Sequence, residues 1–166
     1  MRLPLVAVLI VWLVGPSLAA DCTLYNARYG QPDAAWWLTF TRVPQFAPAN
    51  QTVAFYLELP NSGVTLDGGV SIPNGFGTPL WSFSGPCHAG DGAQTCHFPG
   101  GGETQAIYGI YNGKVTFLSP ERGSAAPDQV ILAGLAASLW YSGYRADEWD
   151  GDAVSPGDAF ELIGCE

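Results

Sequence analysis

The chain has 166 residues, enough for one domain with its own core, and it is acidic, with 15 Asp and Glu against 6 Lys and Arg and a net charge of −9. A nucleic-acid-binding protein needs a basic surface for the phosphates, and an anionic membrane surface would repel an acidic chain. We therefore expect neither nucleic acid nor a membrane surface as a partner.

Residues 1–20 have the layout of a secretory signal peptide. Met1-Arg2 gives a positive start, residues 3–14 are apolar, and residues 15–20 end in small side chains. The apolar run is shorter than the about 20 residues that cross a membrane. We predict a signal peptide at 1–20 and a single β-rich exported domain at 21–166, periplasmic or extracellular, with no membrane insertion after cleavage.

Four cysteines follow the signal peptide, and an even number in an exported protein is typical of disulfides. Three pairings are open to four cysteines. We favour Cys87–Cys96, which are close in sequence, and therefore Cys22–Cys165, which would join the two ends of the domain.

Alternating apolar side chains predict several short strands. In "WWLTFTRV", Trp36, Leu38 and Phe40 share one face, so Trp37 must point to the other. "TVAFYLELP" alternates in the same way between residues 53 and 59. Further strands are expected at "PLWSF" and "DAFELIGC".

Two hairpins are predicted from turn-forming dipeptides. Asn112-Gly113 is a favoured two-residue turn. It would place four side chains on one apolar face, pairing Ile110 with Val115 and Tyr108 with Phe117. "VTLDGGVSI" suggests a second hairpin around Asp67-Gly68.

The segment 128–143 fits two patterns. Ile131, Leu135 and Leu139 are spaced as on a helix that Asp128 could cap, while alternation also fits a strand. We expect a short strand leading into one short helix near 134–142. The fold class is therefore mainly β, an antiparallel β-sandwich or a small barrel of about seven or eight strands.

The stretch "CHAGDGAQTCH" raises the question of a metal site. Zinc would need thiolates, whereas export favours a disulfide. If Cys87 lies opposite Cys96 in a hairpin, His88 and His97 become diagonal neighbours about 7–8 Å apart, able to share an ion with Asp91 as third ligand. We favour the disulfide-closed loop and keep His88, Asp91 and His97 as the alternative.

The acidic loop 146–158 offers carboxylates of the kind that calcium binds. Asp147, Asp150 and Asp152 are the candidate ligands, but their order is not that of an EF-hand. We favour a solvated loop and expect no cofactor, with calcium as the alternative.

The aromatic content suggests a stacking surface for a sugar or a peptide. Most tryptophans fill β-cores, and we expect Trp37 and Trp149 to be the exceptions. Tyr56 and Glu58 share the wetter face of their strand and would form a polar rim. These four residues are the predicted ligand-binding residues.

Standard catalytic signatures are missing from the sequence. It has no Gly-x-Ser-x-Gly elbow, no His-Glu-x-x-His and no phosphate-binding glycine loop. We therefore expect a non-catalytic binding module for an envelope or extracellular protein or for a glycan. The alternatives are a small hydrolase on a β-scaffold and a divalent-metal-binding protein.

Overall fold

The computed structural model describes residues 22–60, 63–75, 77–86, 95–99, 103–119, 121, 123–140 and 157–165. Within these ranges the chain forms ten strands and one α-helix, α1 (Leu135–Trp140). The strands in chain order are β1 (Ala27–Gly30), β2 (Trp37–Thr41), β3 (Gln51–Leu59), β4 (Val64–Ser71), β5 (Leu80–Pro86), β6 (Thr95–Phe98), β7 (Gln105–Tyr111), β8 (Lys114–Phe117), β9 (Gln129–Leu132) and β10 (Ala159–Cys165). None of the helices found there has the length and apolar character needed to span a bilayer.

Eight of these strands close into an antiparallel barrel. Neighbours around the ring follow the order β5-β4-β3-β2-β1-β10-β9-β7, and β7 returns to β5 by pairing Ala106 with Leu80 and Gln105 with Trp81. β6 and β8 extend the sheet outside the ring, β6 beside β5 and β8 beside β7. The predicted fold class is confirmed in its barrel form, together with its one short helix.

The first and last strands lie side by side, as the cysteine pattern predicted. β1 pairs with β10, and a disulfide joins Cys22 to Cys165 with 5.7 Å between their Cα atoms. The second predicted disulfide stays a prediction because Cys87 lies outside the described residues. The β5–β6 register places Gly85, rather than Cys87, opposite Cys96.

The inside of the barrel is packed with aromatic and aliphatic side chains. Tyr29, Phe40 and Phe55 contact one another edge to face, with 5.7 Å between successive ring centroids. Trp81 and Phe83 continue this core as a stacked pair 5.2 Å apart. Among the described residues, side chains thus fill the interior, as is usual for small barrels.

The predicted hairpin at Asn112-Gly113 is confirmed in turn and register. Both turn residues have positive φ, 50° and 76°, as a type I′ turn requires. Ile110 pairs with Val115 and Tyr108 with Phe117, on one face as predicted. That face points outward, so 60% of Val115 and 49% of Phe117 are exposed.

The second predicted hairpin, around Asp67-Gly68, is wrong. β4 runs through both residues without a turn. Gly68 pairs with Phe55, and a Cβ at Gly68 would lie 2.1 Å from the Phe55 ring. Glycine is therefore needed here because a buried ring approaches the backbone closely, a common reason for glycine inside a strand.

The ambiguous segment 128–143 contains both structures, the strand β9 followed by α1, as expected. The expectation that Asp128 caps the helix is wrong, because its carboxylate accepts a hydrogen bond from the Asn112 N–H, 2.7 Å away. Asp158 takes that role instead, accepting hydrogen bonds from the N–H groups of Gly134 and Ala136.

Candidate ligand-binding surface

The outer side of β2 and β3 brings together three of the four predicted ligand-binding residues. The strand register pairs Trp37 with Glu58 and Thr39 with Tyr56. Trp37 is 37% exposed and Tyr56 41%, while Glu58 is half-buried. Trp149 lies outside the described residues. The alternation read from the sequence thus identified an exposed aromatic pair with a carboxylate beside it.

Arg28 of β1 connects these side chains, although the sequence analysis did not select it. Its guanidinium lies 4.1 Å from the centroid of the Trp37 ring, a cation–π contact, and its Nη2 lies 3.5 Å from the Glu58 Oε2. Both charged groups are partly exposed, so the ion pair contributes at most about 1 kcal/mol to folding. We call the resulting surface the Trp37 face; it consists of Arg28, Trp37, Thr39, Thr41, Tyr56, Glu58 and Thr65.

A groove of about 570 Å³ adjoins the Trp37 face. Tyr56 borders both the groove and the recess of the Trp37 face. The groove exists because one register row across β3, β4 and β5 carries only small outward residues, Ala54, Gly69 and Ser82. Its polar lining includes Gln51, Asp67, Ser82, Ser84, His97 and Glu103.

A line of polar side chains crosses both regions. We call it the polar row, and strand pairing places its members opposite one another in the order Arg28, Thr39, Tyr56, Asp67, Ser84 and His97. Neighbouring strands are 4.7–4.9 Å apart, so a row over six strands runs about 24 Å along the sheet. The row connects hydroxyl, carboxylate, guanidinium and imidazole groups on one surface.

The order of the polar row does not suit a Ser-His-Asp triad. Such a triad needs the histidine between the other two residues, so that its imidazole contacts both. Here Ser84 lies between Asp67 and His97. These three groups therefore lie side by side on neighbouring strands.

The two predicted metal sites lie mostly outside the described residues. This applies to His88, Asp91, Asp147, Asp150 and Asp152, whose roles stay predictions. His97 is exposed on β6 and borders the groove. Within the described ranges, no group of three or more His, Cys, Asp or Glu residues is placed to hold an ion.

Comparisons with protein-family models, with curated proteins and with solved structures found no match to this chain. The functional interpretation therefore depends on the geometry and chemistry of the Trp37 face and the groove.

Proposed function

We propose that the protein is a non-catalytic binding module and that its ligand is a neutral glycan held on the Trp37 face. The observation that carries this proposal is the partly exposed Trp37 ring, which has the Arg28 guanidinium over one of its faces and Glu58 opposite it on β3. A sugar would stack on the part of the indole that the guanidinium leaves uncovered. A sugar ring has apolar C–H faces that stack on an indole and hydroxyls at its edge. The hydroxyls would bond to the carboxylate and the guanidinium, the stronger charge-assisted partners.

The polarity of the Trp37 face supports a glycan rather than a protein partner. Apart from Trp37 and Tyr56, its members are three threonines and the Arg28–Glu58 ion pair. The cores of protein–protein interfaces are more apolar and depleted of charge. A neutral sugar is also favoured over an anionic one, because the chain as a whole is acidic.

We also propose that the protein acts outside the cytoplasm, in the periplasm or the extracellular space. The signal-peptide pattern at residues 1–20 supports export. The Cys22–Cys165 disulfide is consistent with folding in an oxidising compartment. Glycans of cell walls and cell surfaces are present in those compartments.

Trp37→Ala should weaken glycan binding about tenfold, which corresponds to about 1.4 kcal/mol. The reason is the loss of the stacking platform, together with the Arg28 position that the indole supports. Neutral polysaccharides such as cellulose, xylan, chitin and starch derivatives should first be screened by affinity electrophoresis. Titration calorimetry then gives the dissociation constant of the best ligand.

Phe117→Ala is the matched control, because Phe117 is an exposed aromatic residue on β8, across the barrel from β2. It should bind the ligand like the wild type. Equal loss of binding in both variants would contradict a specific role of the Trp37 face. If the wild type retains none of the neutral glycans, the proposed function itself is wrong.

One observation favours a second candidate, a small glycoside hydrolase. Glu58 and Asp67 are diagonal neighbours on β3 and β4, since Tyr56 pairs with Asp67 and Glu58 with Thr65. The backbone positions of diagonal neighbours are about 7–8 Å apart, from which two carboxyl groups can reach the about 6.5–9.5 Å separation of inverting enzymes. Analysis of the incubated oligosaccharides by mass spectrometry separates the two functions, because only a hydrolase shortens them.

A further inference from the structure

We infer that the ligand is a neutral oligosaccharide longer than a disaccharide, which extends from the Trp37 face past Tyr56 into the groove, where a second set of subsites holds its remaining units. This inference rests on the proposed function, because it extends the binding site from the same surface.

The polar row gives the direction in which the site extends. The row begins at Arg28 beside Trp37 and ends at His97 on β6, five strand steps away. Because β1 and β5 are four steps apart in a closed ring of eight strands, the row curves around the wall, and an extended ligand can follow the part of it that leads from the Trp37 face into the groove. Tyr56 borders both regions, so a ligand can pass from the Trp37 face into the groove without crossing a barrier of other elements.

The groove has the depth and the chemistry for this extension. Its floor is low because Ala54, Gly69 and Ser82 leave room where larger strand residues would stand. The Gln51 amide lies over Gly69, since a Cβ at Gly69 would be 2.5 Å from its Nε2. Amide and carboxylate groups at such a floor, here those of Gln51 and Asp67, bond to sugar hydroxyls as acceptors and donors.

The test is the dependence of affinity on ligand length. Titration calorimetry with purified oligosaccharides of two to six units, from the cello-, xylo-, chito- and malto- series, gives a dissociation constant for each length. We expect the affinity to rise about tenfold from two units to the length that fills both the Trp37 face and the groove, and then to level off. An affinity that is already maximal with two units would overturn the inference while leaving the proposed function in place.

Gly69→Val closes the groove without altering the Trp37 face. The added side chain would displace only the flexible end of Gln51, and valine suits a strand. We expect this variant to bind the disaccharide like the wild type and to lose the gain from longer chains. Thr116→Val on β8 is the matched control and should keep the full length dependence.

The outcomes separate the two proposals. A Gly69→Val variant that keeps the rise with length would overturn the role of the groove. Both proposals are supported if Trp37→Ala binds oligosaccharides of every length more weakly and Gly69→Val loses only the extra affinity for the longer ones. If the wild type binds none of the oligosaccharides, both the proposed function and the inference are wrong. Thermal unfolding of each variant, followed by circular dichroism, verifies that the barrel is intact.

Discussion

Tyr29 shows how one buried polar atom is accommodated in the apolar barrel. Its ring lies in the core against Phe40, and its hydroxyl donates a hydrogen bond to the Pro127 carbonyl oxygen, 3.1 Å away. Burial raises the pKa of Tyr29 far above the usual tyrosine value, and the nearby Tyr111 and Asp128 raise it further. The folded barrel therefore keeps the neutral hydroxyl even in alkaline solution.

Tyr29→Phe should reduce the decrease in the free energy of unfolding that accompanies a rise in pH. An unfolded tyrosine ionises near pH 10, whereas Tyr29 stays protonated in the fold, so stability is lost as the pH rises above about 10. The variant should remove up to about 1.4 kcal/mol per pH unit of that loss. At pH 7 it should cost about 1–3 kcal/mol, because the Pro127 carbonyl loses its donor.

Urea unfolding at pH 7, 10 and 11 measures both effects. Tyr56→Phe is the control, since it removes the hydroxyl of an exposed tyrosine and should change the free energy of unfolding at pH 7 by little. An unchanged slope in Tyr29→Phe would show that Tyr29 ionises without unfolding the barrel.

At the scale of elements, the two turn-forming dipeptides show how far a local pattern can be trusted. Asn112-Gly113 lies between two alternating strands of matching register, so the turn and the pairing agree. Asp67-Gly68 has the same kind of composition, but Phe55 on the neighbouring strand takes up the space beside Gly68. The dipeptide and its immediate neighbours do not reveal that contact, because it depends on the register in which β3 pairs with β4.

Asp158 links the start of α1 to the start of β10. Its Oδ2 accepts a hydrogen bond from the Gly134 N–H at 2.8 Å, and its Oδ1 accepts one from the Ala136 N–H at 3.2 Å. The next residue, Ala159, begins β10. The carboxylate thus satisfies two N–H groups that a helix start would otherwise leave without partners.

Asp158→Ala should lower the free energy of unfolding by about 1–2 kcal/mol, the usual cost of losing such a cap. Asp158→Asn should recover part of that loss, because an amide oxygen can accept one of the two bonds. Chemical denaturation followed by tryptophan fluorescence gives the values. Glu121→Ala, an exposed acidic residue, should have little effect; an equally large loss there would show that the charge rather than the cap is responsible.

At the scale of the whole molecule, the first and last strands of the barrel lie side by side. β1 and β10 pair with each other, and the Cys22–Cys165 disulfide closes a loop with a sequence separation of 143 residues. The Cys22 carbonyl oxygen also accepts a hydrogen bond from the Ala126 N–H, which fixes the segment before β1 to the segment before β9. The disulfide therefore restrains one of the eight strand pairs of the ring.

Cys22→Ser combined with Cys165→Ser should destabilise the fold by about 3–5 kcal/mol, since a long loop gains much chain entropy in the unfolded state. Urea unfolding of the double variant and the oxidised wild type measures the difference. Far-ultraviolet circular dichroism should show that the variant still forms β-structure at low denaturant. A variant as stable as the wild type would show that strand pairing alone holds the two ends.

The sequence by itself determined the local features of this protein. Alternation identified the exposed side of Trp37, Tyr56 and Glu58, Asn112-Gly113 identified its hairpin, and the cysteine pattern identified the Cys22–Cys165 disulfide. These features depend on side-chain periodicity, turn chemistry and the cysteine count, which can be read directly from the sequence.

Only the tertiary structure decided which strands are neighbours, and with them the candidate site. β1 is too short for a clear alternation, so nothing in the sequence marks Arg28 as the partner of Trp37 and Glu58. The polar row from Arg28 to His97 likewise requires six strands in one register. The alternation of apolar and polar residues determines which side of a strand faces solvent. The order and register of the strands are instead determined by the packing of one common core.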